Sequence, residues 1–165
     1  MNTDNQCILG IDPGYACCGF GIVEKRGNIA VSRSWGCIKT TPKTGDTPTR
    51  LFEIFQNIEL IIKNFNPSCM AIEKLYFSRN TTTALQVSEA RGVILLAAAK
   101  NMVPVYEYTP KQVKLAITGS GNADKKQMQM MIARLLHLSD IPKPDDAADG
   151  LSLALCHLNW MRILP

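Results

Sequence analysis

Apolar and polar positions along this chain predict short strands first and helices afterwards. Residues 7–11 and 19–24 are short apolar runs bounded by turn residues, a pattern typical of strands. A turn signal at residues 26–28 separates the second run from a third predicted strand over 29–39. Because only short turns connect the three strands, we expect them to form an antiparallel meander.

Helical spacing begins after a polar stretch that ends near residue 46. Thr47-Pro48 predicts a helix start with Thr47 as the N-cap, and this helix is expected to end at Asn66. Apolar residues recur between these points at helical spacing: Leu51, Ile54, Phe55, Ile58, Ile61, Ile62 and Phe65. A short apolar strand over 69–72 follows and runs into Glu73.

The rest of the chain adds one strand and four helices. A long helix is predicted over about 82–100, a strand over 103–108, and a short helix from the Thr-Pro pair at 109–110 to about 118. Asp124 and Gln127 have the spacing of a capping box, which predicts another helix. This helix has more apolar residues than one buried face requires. The excess, together with the 82–100 helix, is a candidate dimer interface.

The last helix is expected to begin at Asp145 or Asp146 and to end near residue 161. The order βββαβαβ followed by helices predicts an α/β fold, with a five-stranded mixed sheet and helices on both faces. At 165 residues the chain can bury one self-sufficient core, so we expect a single domain over 1–165. In such sheets, sites form where strand ends meet helix starts.

Carboxylates stand at these ends. Asp12 follows the first strand and Glu73 the fourth, while Asp146 and Asp149 lie three apart at the start of the last helix. Asp145 and Asp149, four apart, suit the same role, so spacing leaves both pairs open. Taken one at a time, Asp12 is explained as a turn residue. Asp145, Asp146 and Asp149 are explained by a favourable interaction with the dipole at the start of the last helix. A Glu at a buried strand end is harder to explain without a partner.

Together, four converging acids predict a cation site. Two unit charges 4 Å apart repel by about 4 kcal/mol even at an effective dielectric of 20, so such a cluster requires a compensating ion. Oxygen ligands suit Mg²⁺ or Mn²⁺. Two such ions can activate water and stabilise the leaving 3′ oxygen in phosphodiester hydrolysis, which gives 5′-phosphate ends.

Composition and charge favour a globular protein with a polyanionic partner. Apolar residues make up 46% of the chain and charged residues 19%, which excludes a disordered chain. Lys and Arg exceed Asp and Glu by 18 to 14, and acids committed to a metal site would leave a clearly basic surface. The loop after Glu73 carries Tyr76, Phe77 and Arg79, where an aromatic ring can stack on an unpaired base.

The cysteines and the apolar runs bear on the compartment. The six cysteines form no Cys-x-x-Cys motif, and the spacing of the two histidines is not that of a zinc-binding motif. The N-terminus lacks the basic-then-apolar order of a signal peptide. The longest apolar stretch, 93–99, is far shorter than the roughly 20 residues of a membrane helix. We therefore expect a cytoplasmic protein that does not enter a membrane.

Six motifs carry a family resemblance: Ile8-Leu9-Gly10-Ile11-Asp12-Pro13-Gly14, Ala71-Ile72-Glu73, Ala90-Arg91-Gly92, Gln112-Val113-Lys114, Ala123-Asp124-Lys125 and Asp146-Ala147-Ala148-Asp149. In order and spacing the chain resembles the RuvC Holliday-junction resolvases from about residue 7 to 158. The resemblance implies a ribonuclease-H-like fold, a homodimer, and Mg²⁺-dependent paired nicking of four-way DNA junctions in recombination and repair. It also implies the branch-migration proteins RuvA and RuvB as partners.

The resemblance also implies roles for single residues. The catalytic and metal-binding acids would be Asp12, Glu73, Asp146 and Asp149, holding two Mg²⁺ per subunit, with Mn²⁺ as a substitute. Tyr76 takes the position of an aromatic that stacks at the junction centre. Lys114 and Lys125 correspond to basic residues near the scissile phosphate.

Two residues of the last helix depart from this scheme or lie outside it. Gly150 stands where the family usually has Ala, and is expected to cost about 1 kcal/mol of helix stability. His157 lies a little over two turns beyond Asp149. It either orients a metal-bound group or is a partly buried structural histidine.

Two other classes of function compete with the nuclease. An ATP-binding phosphotransferase also has an Asp-x-Gly turn after its first strand, but such proteins need two domains of this size. A junction-binding protein without catalysis would keep both binding and any residual nicking after Asp146→Asn.

Overall fold

The structure, a computed structural model, describes residues 6–75 and 81–161. Its strands are β1 (Cys7–Asp12), β2 (Cys17–Arg26), β3 (Ile29–Lys39), β4 (Cys69–Glu73) and β5 (Val105–Tyr108). Its helices are α1 (Thr47–Phe65), α2 (Thr81–Lys100), α3 (Pro110–Thr118), α4 (Lys125–Leu135) and α5 (Asp145–Met161).

The strands form one mixed sheet in the order β3-β2-β1-β4-β5. The first three strands pair antiparallel, which confirms the predicted meander. β4 pairs parallel with β1, and β5 parallel with β4. Because β1, β4 and β5 run in one direction, their carboxyl ends meet at the same edge of the sheet.

Side chains that alternate along each strand point to opposite faces of the sheet, and each face packs against its own hydrophobic core. Leu9, Ile11 and Ile72 pack on one face in the core that also contains residues of α1 and α2. Ile8 and Ala71 face the opposite core, which α3, α4 and α5 complete. The predicted helices on both faces of a five-stranded sheet are therefore confirmed. Within the described residues, no helix has both the length and the apolar character to cross a membrane.

Local capping signals were mostly, but not always, predictive. The capping box predicted at the start of α4 and the Thr-Pro start predicted for α3 are confirmed, and at α3 Thr109 and Gln112 form a capping box that was not predicted. The N-cap of α1 is Asp46, whose side chain accepts from the Thr49 backbone N–H at 3.1 Å, so the prediction of Thr47 is wrong. Thr47 is the first helical residue instead. An ionised acid before the helix offers both an acceptor and a charge that complements the dipole.

Helix α5 lies directly on the backbone of β1 and β2. A Cβ atom on Gly10 would meet the carbonyl oxygen of Gly150, and one on Gly150 would stand 2.6 Å from the Phe20 carbonyl carbon. The expectation that Gly150 simply costs helix stability is therefore wrong, because an Ala at this position would collide with β2. The missing side chains allow the helix that carries Asp146 and Asp149 to approach the strand that carries Asp12.

Candidate active site

Asp12 and Glu73 stand side by side at the carboxyl ends of two parallel strands. The register pairs Ile11 of β1 with Ile72 of β4, so the next residues along are the two acids. Ile11 and Ile72 point into the core beneath α1 and α2. Because side chains alternate along a strand, Asp12 and Glu73 project from the other face, towards α5.

Helix α5 brings the remaining two acids to the same edge. Asp146 and Asp149 are three apart, so their side chains leave neighbouring positions on one side of its first turns. The backbone of Asp146 lies against β2, where a Cβ on Gly19 would be 2.5 Å from its carbonyl carbon. The two aspartates consequently face the ends of β1 and β4.

The other three carboxylates interact electrostatically with Asp12. Burial raises the pKa of Asp12 to about 8, and the negative charges of Glu73, Asp149 and Asp146 add to the effect. Burial also raises the pKa of Glu73, with Asp149 as the second cause. The pKa of Asp149 is raised mainly by burial. In the absence of a cation Asp12 therefore favours its protonated form at neutral pH.

Asp145 lies apart from this group although it precedes Asp146 directly. Its two oxygens accept from Lys125 Nζ at 2.9 Å and from Gln129 Nε2 at 2.8 Å. Lys125 is the main reason that the pKa of Asp145 is lowered. Spacing left Asp145 and Asp146 equivalent, but in the structure Asp146 interacts with the other acids, whereas the Asp145 side chain binds Lys125 and Gln129 of α4.

Two predicted basic residues line a cleft beside the acids. Lys114 of α3 and Lys125 of α4 border this cleft, and Glu73 and Asp149 lie in its wall; the full lining is Glu73, Pro110, Val113, Lys114, Lys125, Met128, Asp149, Ser152 and Leu153. Lys125 interacts electrostatically with Asp12, where its positive charge partly opposes the raised pKa. The cleft is thus lined by carboxylates and by lysine side chains. Tyr76 and Arg79, the other predicted DNA contacts, lie outside the described residues.

His157 belongs to the packing between α5 and β5. Its Nδ1 lies 2.6 Å from the Tyr108 hydroxyl, and its ring stacks on Tyr106 with the ring centroids 4.3 Å apart. The residue is 3% exposed, and burial lowers its pKa. Of the two interpretations given to His157, these contacts support the structural one.

A pair of cysteines beside Asp146 was missed by sequence reasoning. The structure joins Cys17 of β2 to Cys37 of β3 through a disulfide, with the Cα atoms 5.9 Å apart. Cys17 Sγ lies 3.2 Å from Asp146 Oδ2. Twenty residues separate the two cysteines, so no short motif signals the pair; only the strand register brings them together.

Comparisons with known proteins agree along almost the whole chain. The family described as crossover junction endodeoxyribonuclease RuvC matches residues 8–157. The crossover junction endodeoxyribonuclease RuvC of Desulfitobacterium hafniense is 51% identical over 157 residues, which cover 95% of this chain and 94% of that protein. The protein of the same name from Alkaliphilus metalliredigens is 53% identical over 150 residues, 91% of each chain.

A solved structure gives the same result for the fold. The structure of T. thermophilus RuvC in complex with Holliday junction substrate superposes with a TM-score of 0.91 at 34% identity, covering 96% of each chain. That likeness confirms the expected ribonuclease-H-like fold. Family match, full-length relatives and fold all lead to one assignment: the chain belongs to the RuvC family of crossover junction endodeoxyribonucleases.

Proposed function

We propose that this protein resolves four-way (Holliday) DNA junctions by paired, metal-dependent nicking of two opposed strands, in recombination and DNA repair. The observation that carries the proposal is the convergence of carboxylates beside a cleft bordered by lysines. Glu73 and Asp149 line this cleft, and the negative charges of both help to raise the pKa of buried Asp12 to about 8. Family membership makes DNA the polyanion that this cleft accepts. The combination of carboxylates and lysines at one cleft suits hydrolysis of a phosphodiester more than DNA binding alone.

We infer that Asp12, Glu73, Asp146 and Asp149 bind Mg²⁺, with two ions per subunit and Mn²⁺ as a substitute. The donor set fits, because all four ligands are hard oxygens and the charge of Asp12 is destabilised by its three neighbours. Bound ions would supply the Lewis acidity that phosphodiester hydrolysis requires. We expect nicks with 5′-phosphate ends.

The protein's own groups position the DNA. The ammonium groups of Lys114 and Lys125 attract the phosphate backbone towards the acids, and the Asp145 carboxylate holds Lys125 at the cleft at 2.9 Å. In the loop after β4, Tyr76 is proposed to stack on a base at the junction centre. Arg79 is proposed to contact the backbone nearby.

Lys114→Ala and Lys125→Ala are each expected to weaken junction binding, because each removes one phosphate contact. The slope of log K against log salt should become shallower by about 1 for each variant. Fluorescence anisotropy over a salt series, in the presence of a chelator, measures both effects. Lys63→Ala, at an exposed position of α1 on the other side of the sheet, is the matched control. Equal slopes for all three variants would contradict the DNA-binding role of the cleft.

We infer that two copies pair through the apolar face of α1 and α2. A groove there is lined by Pro48, Leu51, Phe52, Phe55, Val93 and Leu96. Phe52 is 57% exposed and Leu96 58% exposed, which is unusual for large apolar residues unless a partner covers them. In α4, Met128 and Ile132 are buried in the core, whereas Met130 and Leu135 are exposed. Of the two candidate helices α2 is favoured, because its exposed Leu96 lines one apolar groove together with Phe52. Paired nicking of two opposed DNA strands requires two active sites related by a two-fold axis.

Phe52→Glu is expected to break the dimer, because it places a charge in the centre of the apolar groove. Loss of a central aromatic anchor costs at least about 2 kcal/mol of association free energy. Sedimentation velocity should show a monomer, and junction cleavage should shift from paired to single nicks. Ile29→Glu, which also replaces an exposed apolar residue but lies outside the groove, should remain dimeric. A dimeric Phe52→Glu protein would exclude this interface.

We also propose the cellular setting. The chain is inferred to act as a single nuclease domain, since its two cores share one sheet. By family membership it would work with RuvA and RuvB, which move the junction. Its place would then be the cytoplasm, where bacterial DNA lies.

A synthetic four-way junction with a mobile homologous core tests the function directly, since the mobile core brings several sequences to the crossover. Symmetric nicks that a ligase can reseal should appear with Mg²⁺ and disappear with chelator. Asp146→Asn should bind the junction but not cut it, whereas a purely binding protein would show no such difference. ATP-dependent thermal stabilisation would instead support the phosphotransferase. Duplex DNA of equal length is the substrate control.

A further inference from the structure

The cysteine pair beside the active site has the donor atoms of a second metal site. One ligand atom each from Cys17, Cys37 and Asp146 lies within 4.8 Å of the other two. All three residues are partly buried. Two sulfurs and one carboxylate oxygen form a softer donor set than the four carboxylates, and thiolates favour zinc over magnesium.

Irregular strand pairing creates this arrangement. Near the turn, Val23 pairs with Ser32, but Ile22 pairs with Ser34, so β3 contains one extra residue. The extra residue moves Cys37 opposite Gly19 and therefore onto the face of Cys17. Without the bulge Cys37 would stand opposite Cys18, whose side chain is buried in the core on the other face.

We propose that the reduced protein binds a thiophilic divalent cation such as Zn²⁺ through Cys17, Cys37 and one oxygen of Asp146. In a tetrahedral zinc site the ligand atoms are separated by about 3.6–3.8 Å, given bonds of about 2.3 Å to sulfur and about 2.0–2.2 Å to oxygen. The two sulfurs are bonded to each other in the disulfide and must separate to that distance after reduction, while Cys17 Sγ already lies 3.2 Å from Asp146 Oδ2. Water completes the four ligands.

The disulfide and the cation are mutually exclusive states of the same sulfurs. Reduction of the disulfide takes two electrons and two protons and yields two thiols. Two cellular thiols supply both and become a disulfide themselves, whereas a phosphine supplies the electrons and becomes the phosphine oxide, with water giving the protons and the oxygen. Binding of the cation then displaces both thiol protons. The site therefore exists in the reduced protein and is lost on oxidation.

Occupation of this site inhibits the nuclease. This step rests on the proposed function, in which Asp146 binds Mg²⁺. An Asp146 oxygen that is committed to zinc beside Cys17 is withdrawn from the carboxylate cluster, which then holds Mg²⁺ less well. The cysteine pair thus couples the activity to thiophilic metals through a single shared carboxylate.

Cadmium titration tests the binding without reference to activity. The protein is reduced with a phosphine, freed of metal, and titrated with Cd²⁺ while the ultraviolet thiolate-to-cadmium charge-transfer absorption is followed. The band should saturate at a single Cd²⁺ per chain in wild type and in Cys7→Ser, which changes a half-buried cysteine on β1. Cys37→Ser and Cys37→Ala should each weaken binding by more than the roughly 10–100-fold that loss of an outer-sphere partner costs.

A second arm measures nicking. Equimolar Zn²⁺ should inhibit reduced wild type in Mg²⁺ buffer by roughly 10–100-fold, the scale of a disturbed metal site, and leave Cys37→Ser active. An unchanged cadmium band in both Cys37 variants, or no band in fully reduced wild type, would overturn the site. Cadmium binding without zinc inhibition would overturn the coupling through Asp146. Absence of all Mg²⁺-dependent nicking, with the cadmium band intact, would contradict only the proposed function.

Discussion

Asp12→Asn is expected to abolish junction nicking and, at the same time, to stabilise the metal-free protein. Asn keeps the shape of the side chain but removes a charged ligand from the centre of the acid cluster. Loss of several kcal/mol of transition-state stabilisation corresponds to a decrease of about 10³-fold or more in the nicking rate. Junction binding, which depends on the lysines of the cleft, should persist.

The stabilisation follows from the cost of charging Asp12 in the folded protein. Burial and the charges of Glu73 and Asp149 all oppose its ionisation. An amide at this position is free of that repulsion. For a chain of this size each kcal/mol gained raises Tm by about 2–4 °C. Differential scanning calorimetry in chelator at pH 8 should therefore show Asp12→Asn melting above wild type, and a lower Tm would contradict the repulsive cluster.

The sign of the pH dependence gives a sharper test. The pKa of Asp12 rises from its ordinary value of 3.8 in the unfolded chain to about 8 in the folded protein, so between these values the unfolded chain binds fewer protons. The free energy of unfolding of metal-free wild type must therefore fall as pH rises from about 4 to about 8. The raised pKa values of Glu73 and Asp149 act in the same direction. Lys125 is the facing cation that opposes the raised pKa values of Asp12 and Asp149.

Asp12→Asn should flatten this slope, and urea titrations at several pH values measure it. Asp145→Asn is the matched control, because the pKa of Asp145 is lowered by Lys125 and its carboxylate is exposed. That variant should keep the wild-type slope between about pH 5 and pH 8. Saturating Mg²⁺ should weaken the slope in wild type, since bound cations favour the ionised acids. Identical slopes for wild type and Asp12→Asn would contradict the shared site.

The elements that local signals specify could be predicted from the sequence. The meander, β4 and the starts of α3 and α4 follow from turn residues, apolar runs, a Thr-Pro pair and a capping box, and they are confirmed. The start of α1 was wrong by one residue, because Asp46 and Thr47 are both good N-caps and only the backbone conformation chooses between them.

Features that depend on contacts far apart in the chain could not be predicted without the structure. The convergence of the acids was predicted because strand ends in such sheets share an edge. This rule of topology can be applied once the order of strands and helices is known. The cysteine pair escaped because the bulge in β3 changes which residue faces Cys17. Without the bulge, Cys37 would pair with Cys18 and would lie on the face of the sheet opposite to that of Cys17. The separate role of Asp145 likewise required the position of α4.

The second large effect concerns packing rather than charge: Gly10→Ala is expected to destabilise the fold and to weaken the metal site together. A Cβ on Gly10 would meet the Gly150 carbonyl oxygen and would stand 2.5 Å from the Ala154 backbone nitrogen. Both neighbours are backbone atoms of α5, so no side chain can rotate away. Forcing an extra methyl group into such a contact costs about 1–3 kcal/mol or more.

The shift of α5 links this stability loss to function. β1 carries Asp12 and α5 carries Asp146 and Asp149, so a helix pushed away from the strand separates the acids that are proposed to bind the metal. Tm should fall by about 2–4 °C for each kcal/mol. Half-maximal nicking should require more Mg²⁺ than in wild type, and high Mg²⁺ should restore part of the rate.

Gly121→Ala provides the matched control for stability. Its added Cβ would lie 3.0 Å from the Lys111 side chain, a flexible neighbour that can move, so Tm should stay close to that of wild type. Calorimetry of both variants, together with Mg²⁺ titration of nicking by Gly10→Ala, separates the two consequences. A Gly10→Ala protein with wild-type Tm and wild-type Mg²⁺ dependence would mean that α5 does not need the bare backbone of β1. If Tm falls but the Mg²⁺ dependence is unchanged, the approach of α5 to β1 stabilises the fold without setting the distance between the acids.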